Sequence, residues 1–156
     1  MRIYFFCLIF LIMFTGCTQS PPSGLPSLVP YTVRVTDQDK PIANIGVTFQ
    51  RSEGNSGWAL NGITNTSGIA HARTIAGTFE RNGLPIGTYH VTLNERIDVP
   101  AELINDNDPA SWEKQEKYRD EHRILPKILS DPINTPLELT VSDSGGEMTI
   151  DISTFR

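Results

Sequence analysis

Apolar and polar residues alternate along several short stretches of the chain. The first stretch reads YTVRVTD (residues 31–37) and places Tyr31, Val33 and Val35 on one face, and IGVTFQR (residues 45–51) repeats the pattern. A period of two predicts half-buried antiparallel strands. The intervening DQDKPIAN has the composition of a turn.

Two further stretches continue this pattern. Residues 61–74 read NGITNTSGIAHART and predict two short strands around a turn that ends in Gly68, where glycine can adopt a positive φ. Residues 83–95 read GLPIGTYHVTLNE and predict a turn followed by a strand. The inward positions of that strand are Tyr89, Val91 and Leu93.

The last stretch, residues 136–152, reads PLELTVSDSGGEMTIDI and predicts a hairpin that turns at Ser144-Gly145-Gly146. Together the stretches predict an all-β fold, a single antiparallel β-sandwich of about seven strands, transthyretin-like or Ig-like. The segment 31–156 is long enough to bury one core without disulfides. One domain is therefore expected.

The N-terminus carries a different pattern. Arg2 precedes an uncharged apolar run over residues 3–14, which is too short to span a membrane but has the length of a signal-peptide core. The run ends in Phe14-Thr15-Gly16-Cys17, which resembles the bacterial lipobox. That resemblance implies a lipoprotein signal peptide over 1–16 and a covalent diacylglycerol and acyl chain, such as palmitate, on Cys17. The alternative is an ordinary secretory signal with Cys17 incidental.

A proline- and serine-rich segment follows Cys17, and we expect residues 17–30 to form the lipidated cysteine and its tether. Extended polyproline-like chain of about 3.1 Å per residue would hold the domain roughly 40 Å from the lipid. Thr18 stands where an inner-membrane retention Asp would be, which favours the outer membrane. The expected location is the bacterial cell envelope, facing the periplasm or the cell surface.

The net charge of the chain excludes two classes of binding partner. The formal net charge is −5, from 13 Lys and Arg against 18 Asp and Glu. This balance argues against nucleic acid, whose phosphates require basic clusters, and against side-chain binding to anionic lipid. Membrane attachment is therefore expected through the lipid anchor alone.

Three segments resemble, in order, the carboxypeptidase regulatory-like domains, which are transthyretin-like sandwiches. They read VRVTDQDKPIANIGVTFQ, GITNTSGIA and GLPIGTYHVTL, and Asp39 stands where the family usually has glycine. Near the C-terminus, LPKILSDPINTPLELTV followed by GGEMTIDI is similar to the C-terminal hairpin of small envelope lipoproteins of planctomycete-type bacteria. The resemblance implies a fold and an envelope setting, and it supplies no shared active site.

Residues 94–135 interrupt the sandwich pattern and contain a predicted helix over 108–123. We expect Asp108 as its N-cap, Pro109 at its first position, and ion pairs from Glu113 to Lys117 and from Glu116 to Arg119. Trp112 and Tyr118 are six residues apart and fall on different faces. The segment is either a helix that caps the sandwich through Trp112 or an element that binds a partner.

Candidate chemistry is sparse in this sequence. The three histidines, His71, His90 and His122, lack metal-ligand spacing, and no metal or further cofactor is expected. Asp106, Asp108 and Glu113 offer calcium oxygens without the EF-hand glycine. No G-x-S-x-G elbow and no free Cys for a Cys-His pair are present, so a non-enzymatic protein is expected.

Three hypotheses of function remain. The first is a structural or protein-interaction module of the envelope. The second is a carbohydrate-binding or adhesion module in which Trp58, Trp112 and Tyr118 face a glycan, although Trp58 also suits a core position at a strand start. The third is a small hydrolase, which requires a bound metal or a carboxyl group with a raised pKa.

Overall fold

The computed structural model describes residues 21–54, 57–105 and 108–156. The predicted signal peptide, Cys17 and the first residues of the predicted tether lie outside the described residues. No helix among the described residues is long and apolar enough to cross a membrane.

The described residues are mostly β, with antiparallel sheets and one α-helix. The strands are β1 (Leu28–Val29), β2 (Tyr31–Asp37), β3 (Lys40–Pro41), β4 (Ile45–Arg51), β5 (Ala59–Ile63), β6 (Ile69–His71), β7 (Arg73–Ala76), β8 (Phe79–Asn82), β9 (Leu84–Pro85), β10 (Gly87–Glu95), β11 (Glu138–Val141) and β12 (Gly146–Asp151). The helix is α1 (Ser111–His122), and 3-10 turns span Ala101–Leu103, Lys127–Ser130 and Ile152–Phe155.

Two sheets enclose one core. The larger sheet has the order β11-β10-β4-β5-β7-β8, and the smaller sheet joins β12, β2 and β3, with β6 also paired to β2. A third, two-stranded sheet pairs β1 with β9. The sandwich class predicted by the alternating pattern is confirmed.

The predicted inward positions form the core. Val33, Val35, Tyr89, Val91 and Leu93 are all fully buried. Burial of aliphatic and aromatic side chains at about 1.5 to 3 kcal/mol each is the main force that holds the sheets together. Gly68 has φ +71°, as the turn required.

The predicted C-terminal hairpin is wrong. β11 pairs with β10 in the larger sheet, whereas β12 pairs with β2 in the smaller sheet, so the connection crosses between sheets. The Pro30 carbonyl accepts a hydrogen bond from Gly146 N at 3.2 Å, which directs the chain to the second sheet. The β12–β2 pair is parallel, an exception to the antiparallel pairing predicted.

The folded domain begins before Tyr31. Leu28 and Val29 form β1 and pair with Pro85 and Leu84 of β9. The last three residues of the predicted tether, 28–30, therefore belong to the domain or to its connection to β2. The part of the predicted tether outside the domain ends at Ser27.

The sandwich has two distinguishable ends. At the end that we call the entry end, β1 leads into Tyr31 and Gly87 begins β10. At the opposite end, called the insert end, β10 finishes at Glu95, paired with Ile45. Eight steps of about 3.3 Å separate Gly87 from Glu95, or roughly 26 Å.

Candidate functional site at the insert end

The segment between β10 and β11, residues 96–137, is called the helical insert. Its return to the sandwich is fixed by Glu95, whose two carboxylate oxygens accept hydrogen bonds from Ile124 N and Leu125 N, each at 3.0 Å. A carboxylate that accepts two backbone N–H groups replaces the pairing that these amides lack outside a strand. The insert is therefore tied directly to the last residue of β10.

Apolar side chains of the insert complete the core. Leu125 is 2% exposed and Leu129 is fully buried, and both belong to the core cluster of the sandwich. Thr135 Oγ1 donates to the Val91 carbonyl at 2.7 Å and aligns the chain before β11. The insert is thus an integral part of the domain.

Arg156, the last residue of the sequence, binds the same part of the insert. The Arg156 guanidinium lies 3.2 and 3.0 Å from the two carboxylate oxygens of Asp37 and donates to the Ile124 carbonyl at 3.2 Å. This fork joins the end of β2 to the segment that follows the helix.

Ser111 connects the start of α1 to the preceding turn. Its hydroxyl donates to the Leu103 carbonyl at 2.8 Å, accepts from Asn105 N at 3.0 Å, and lies 3.1 Å from Gln115 Nε2. Ser111 is the one buried residue of α1. The helix therefore turns this face inward.

The predicted start of the helix, with Asp108 as N-cap and Pro109 at the first position, is wrong by two residues. Asp108 does not cap α1, since its Oδ1 accepts from Ala110 N at 2.9 Å and its carbonyl accepts from Ser111 N. These bonds form a local turn that contains Pro109, and the helix begins after it, at Ser111, with Ala110 as N-cap. The helix ends at His122, one residue before the predicted bound.

The outward face of α1 carries Trp112. This side chain is 68% exposed, and the Arg119 guanidinium carbon lies 5.6 Å from its ring centroid. Trp112 therefore does not cap the sandwich. A shallow surface hollow of about 550 Å³ beside it is lined by the residues Trp112, Glu113, Glu116, Lys117, Asp120 and Glu121.

Ion pairs order this outward face. Arg119 pairs with Glu116 at 3.4 Å as predicted, whereas Lys117 pairs with Glu121 at 3.8 Å instead of with Glu113. Hydrogen bonds from lysine lower the pKa of two carboxyl groups below the usual range: Lys114 acts on Asp108, and Lys127 acts on Asp120. Every carboxyl group with a shifted pKa in the described residues, which adds Asp131 and Asp151, is shifted downward.

Tyr118 lies on another face of α1. Its ring stacks on His122 with 3.9 Å between centroids and 22° between planes, and the His122 Nδ1 is 2.8 Å from the Tyr118 carbonyl oxygen. Trp112 and Tyr118 do point in different directions, as their spacing predicted. They do not form one aromatic platform.

Trp58 lies at the opposite end of the sandwich. It precedes β5 beside the last residues of β4, it is partly buried, and it packs against the core. The proposed glycan-facing group of Trp58, Trp112 and Tyr118 is therefore not assembled. The core position and the ligand-facing position predicted for Trp58 are both consistent with the structure, because this side chain contacts the core and also borders a depression.

The histidines are dispersed. His71 is exposed on β6, and His90 Nδ1 lies 4.0 Å from Glu138 Oε1 across two strands of the larger sheet. In the ranges that the structure describes, no three His, Cys, Asp or Glu side chains are grouped to share a metal ion. Of the predicted calcium oxygens, Asp106 lies outside those ranges, and Asp108 is engaged by Lys114 at 2.8 Å.

Sequence reasoning missed the residues that fix the insert. Glu95 and Arg156 each contact segments 29 or more residues away, and no local pattern indicates such a partner. The Leu125 and Leu129 spacing was an available signal, since two leucines four residues apart in a polar segment favour a buried turn.

Comparisons with known proteins give one structural likeness. No protein-family model matches the chain, and no curated protein matches it. The chain is similar to a crystal structure of the major pilin subunit of Bacillus cereus, with a TM-score of 0.42 and 12% sequence identity. The match covers 81% of this chain and 30% of the pilin subunit, so the chain spans less than a third of that protein.

Proposed function

We propose that this protein is a lipid-anchored lipoprotein of the bacterial cell envelope whose β-sandwich is a non-catalytic protein-interaction module. In this proposal the lipid on Cys17 holds the entry end toward the membrane. The helical insert presents the docking surface at the far end. The ordered sequence motifs support assignment of the sandwich to the carboxypeptidase regulatory-like kind.

The observation that carries the proposal is the placement of the two ends. The chain enters through β1, which pairs with β9 directly before Gly87, whereas the insert is tied to Glu95 at the other end of β10. A tether attached at the entry end leaves the insert roughly 26 Å farther from the lipid. A partner therefore meets the insert first.

The tether sets how far the domain reaches. Ten residues, 18–27, remain between Cys17 and β1, and at about 3.1 Å per residue they extend at most roughly 31 Å. With the domain added, the docking surface would stand within reach of other envelope proteins on the same face of the membrane.

The outward face of α1 has the properties of a protein contact. Tryptophan is enriched among the interface residues that dominate binding energy. Trp112 is exposed, and the charged groups around it form a polar rim. The ion pairs of Glu116 and Asp120 hold that rim in place. Preorganised side chains lose less entropy when a partner binds.

The carboxyl groups support a non-catalytic role. A general acid in a hydrolase needs a raised pKa, whereas Asp108 and Asp120 at the insert have a lowered pKa and are engaged by lysines. These groups are arranged to stabilise the insert.

Chemical crosslinking in intact cells tests the proposal. The tagged protein and a Cys17→Ser variant would be crosslinked and identified by mass spectrometry, with membrane fractionation of both. We expect membrane recovery and one dominant partner linked near residues 108–123, both lost in the variant. Recovery of the unmodified protein in the soluble fraction, or crosslinks spread evenly over the domain, would overturn it.

A further inference from the structure

A polar depression of about 510 Å³ lies on the larger sheet toward the entry end. It is bordered by side chains of β4, β5 and the residue before β5, among them Thr48, Gln50, Arg51, Trp58, Ala59 and Asn61. It shares no residue with the outward face of α1. Its residues are separate from those of the proposed docking surface.

The register between β4 and β5 explains the depression. Thr48 lies directly opposite Asn61 in the β4–β5 pair, and the same register places Gln50 opposite Ala59. These four residues point outward because their neighbours Phe49 and Leu60 are buried. The methyl group of Ala59 leaves a gap between the longer side chains of Gln50 and Asn61.

The polar groups around the gap are uncommitted. Among the described residues, the side chains of Thr48, Gln50 and Asn61 have no hydrogen-bond partner within the protein. Arg51 is different, because its Nη2 donates to the Ile86 carbonyl at 3.0 Å. The uncommitted groups that face the gap are two amides and one hydroxyl, all neutral, and Arg51 lies at the border.

We propose that this depression binds a neutral oligosaccharide. Primary amides each offer donors and an acceptor, which match the hydroxyl groups of a sugar. Arg51 keeps its positive charge at the border, since its bond goes to a neutral carbonyl, whereas the groups that face the gap are uncharged and suit the hydroxyl groups of a sugar. Trp58 borders the depression and adds apolar surface there, although its partly buried side chain also packs against the core.

The test uses the full-length lipidated protein in a detergent without a sugar headgroup. Cellotetraose and chitotetraose serve as probes, and saturation-transfer NMR followed by titration measures their binding. We expect at least one of them to bind with a dissociation constant on the order of 1 mM or tighter.

Variants locate the binding. Gln50→Ala together with Asn61→Ala removes two hydrogen-bonding groups from side chains that are not buried, so the fold is retained. Affinity should fall about tenfold, as expected for two neutral hydrogen bonds. Trp112→Ala is the matched control at the insert end, and it should leave affinity unchanged.

Three results would overturn the inference: binding of neither oligosaccharide, binding that survives the double amide variant, or binding that is lost with Trp112→Ala. The first two results leave crosslinking through α1 unaffected, and the third would place sugar binding on the outward face of α1, where the crosslinking experiment tests for a protein partner separately. Failure of this inference is therefore distinguishable from failure of the proposed function.

Discussion

The carboxylate of Glu95 and the backbone amide of Leu125 are joined by a 3.0 Å hydrogen bond across thirty residues of sequence. The second oxygen of the same carboxylate accepts from Ile124 N. This contact converts a polar segment, which cannot bury a core of its own, into a fixed extension of the sandwich. It also sets where the helix can stand relative to the entry end.

Removal of the Glu95 carboxylate should loosen the insert. In Glu95→Ala the amides of Ile124 and Leu125 lose charge-assisted acceptors, and we expect the free energy of unfolding to fall by about 1 to 3 kcal/mol. Hydrogen exchange at these two amides should accelerate. Glu113→Ala, an exposed carboxylate on α1, is the control, and equal effects of the two variants would contradict the anchoring role.

The same sequence features that predicted the strands could not predict their partners. A period of two identifies Val33, Val91 and Leu93 as inward positions, because burial on one face is a local property. The choice between a hairpin and a crossing is decided by distant residues. Ser144-Gly145-Gly146 suits either turn, and the Pro30 carbonyl decides it.

The candidate site was predictable only in part. Spacing alone separated Trp112 from Tyr118 and identified the Arg119 pairing with Glu116. It could not show that Trp112 is exposed, because that depends on how Ser111 and Leu125 seat the insert. The distance between Trp58 and the insert likewise follows from the strand register, which no local pattern supplies.

Substitutions of a buried and of an exposed residue in the insert should differ in their effect on the free energy of unfolding. Leu129 is fully buried, and Leu129→Ala should lower the free energy of unfolding by about 2 to 5 kcal/mol through lost packing. Trp112→Ala should change it by less than about 0.5 kcal/mol, since Trp112 is mostly exposed. Chemical denaturation measures both, and a large loss for Trp112→Ala would mean that this ring supports the fold.

The connection from β11 to β12, which crosses between the two sheets, should be destabilised by a side chain at position 145. Its φ is +69°, and a Cβ at this position would collide with the Pro30 carbonyl oxygen. Gly77 has φ +63° with open space around it, so Gly77→Ala adds the backbone strain alone. We expect Gly145→Ala to be more destabilising than Gly77→Ala by more than about 1 kcal/mol. Equal melting temperatures for the two variants would contradict the predicted collision.

Titration of the carboxyl groups in lysine variants should identify which lysine lowers the pKa of each aspartate in the insert. Lys127 lowers the pKa of Asp120 below its ordinary value of 3.8, so this pair stabilises the fold above that value, and the contribution disappears as the pH falls through the lower folded pKa. In Lys127→Met the pKa of Asp120 should rise toward the ordinary value, while that of Asp108 stays low. Lys114→Met should do the reverse. Carboxyl-detected NMR titration measures both, and an unchanged pKa of Asp120 in Lys127→Met would refute the pairing.

The most direct test of the account places a photoreactive amino acid at one position of each end in intact cells. Glu116 lies on the outward face of α1, and Glu53 is exposed near the entry end. We expect one protein to crosslink from position 116, to be lost when Trp112→Ala is added, and to be absent from position 53. The same crosslinked species from both positions, or none from position 116, would contradict the claim that the insert is the docking surface.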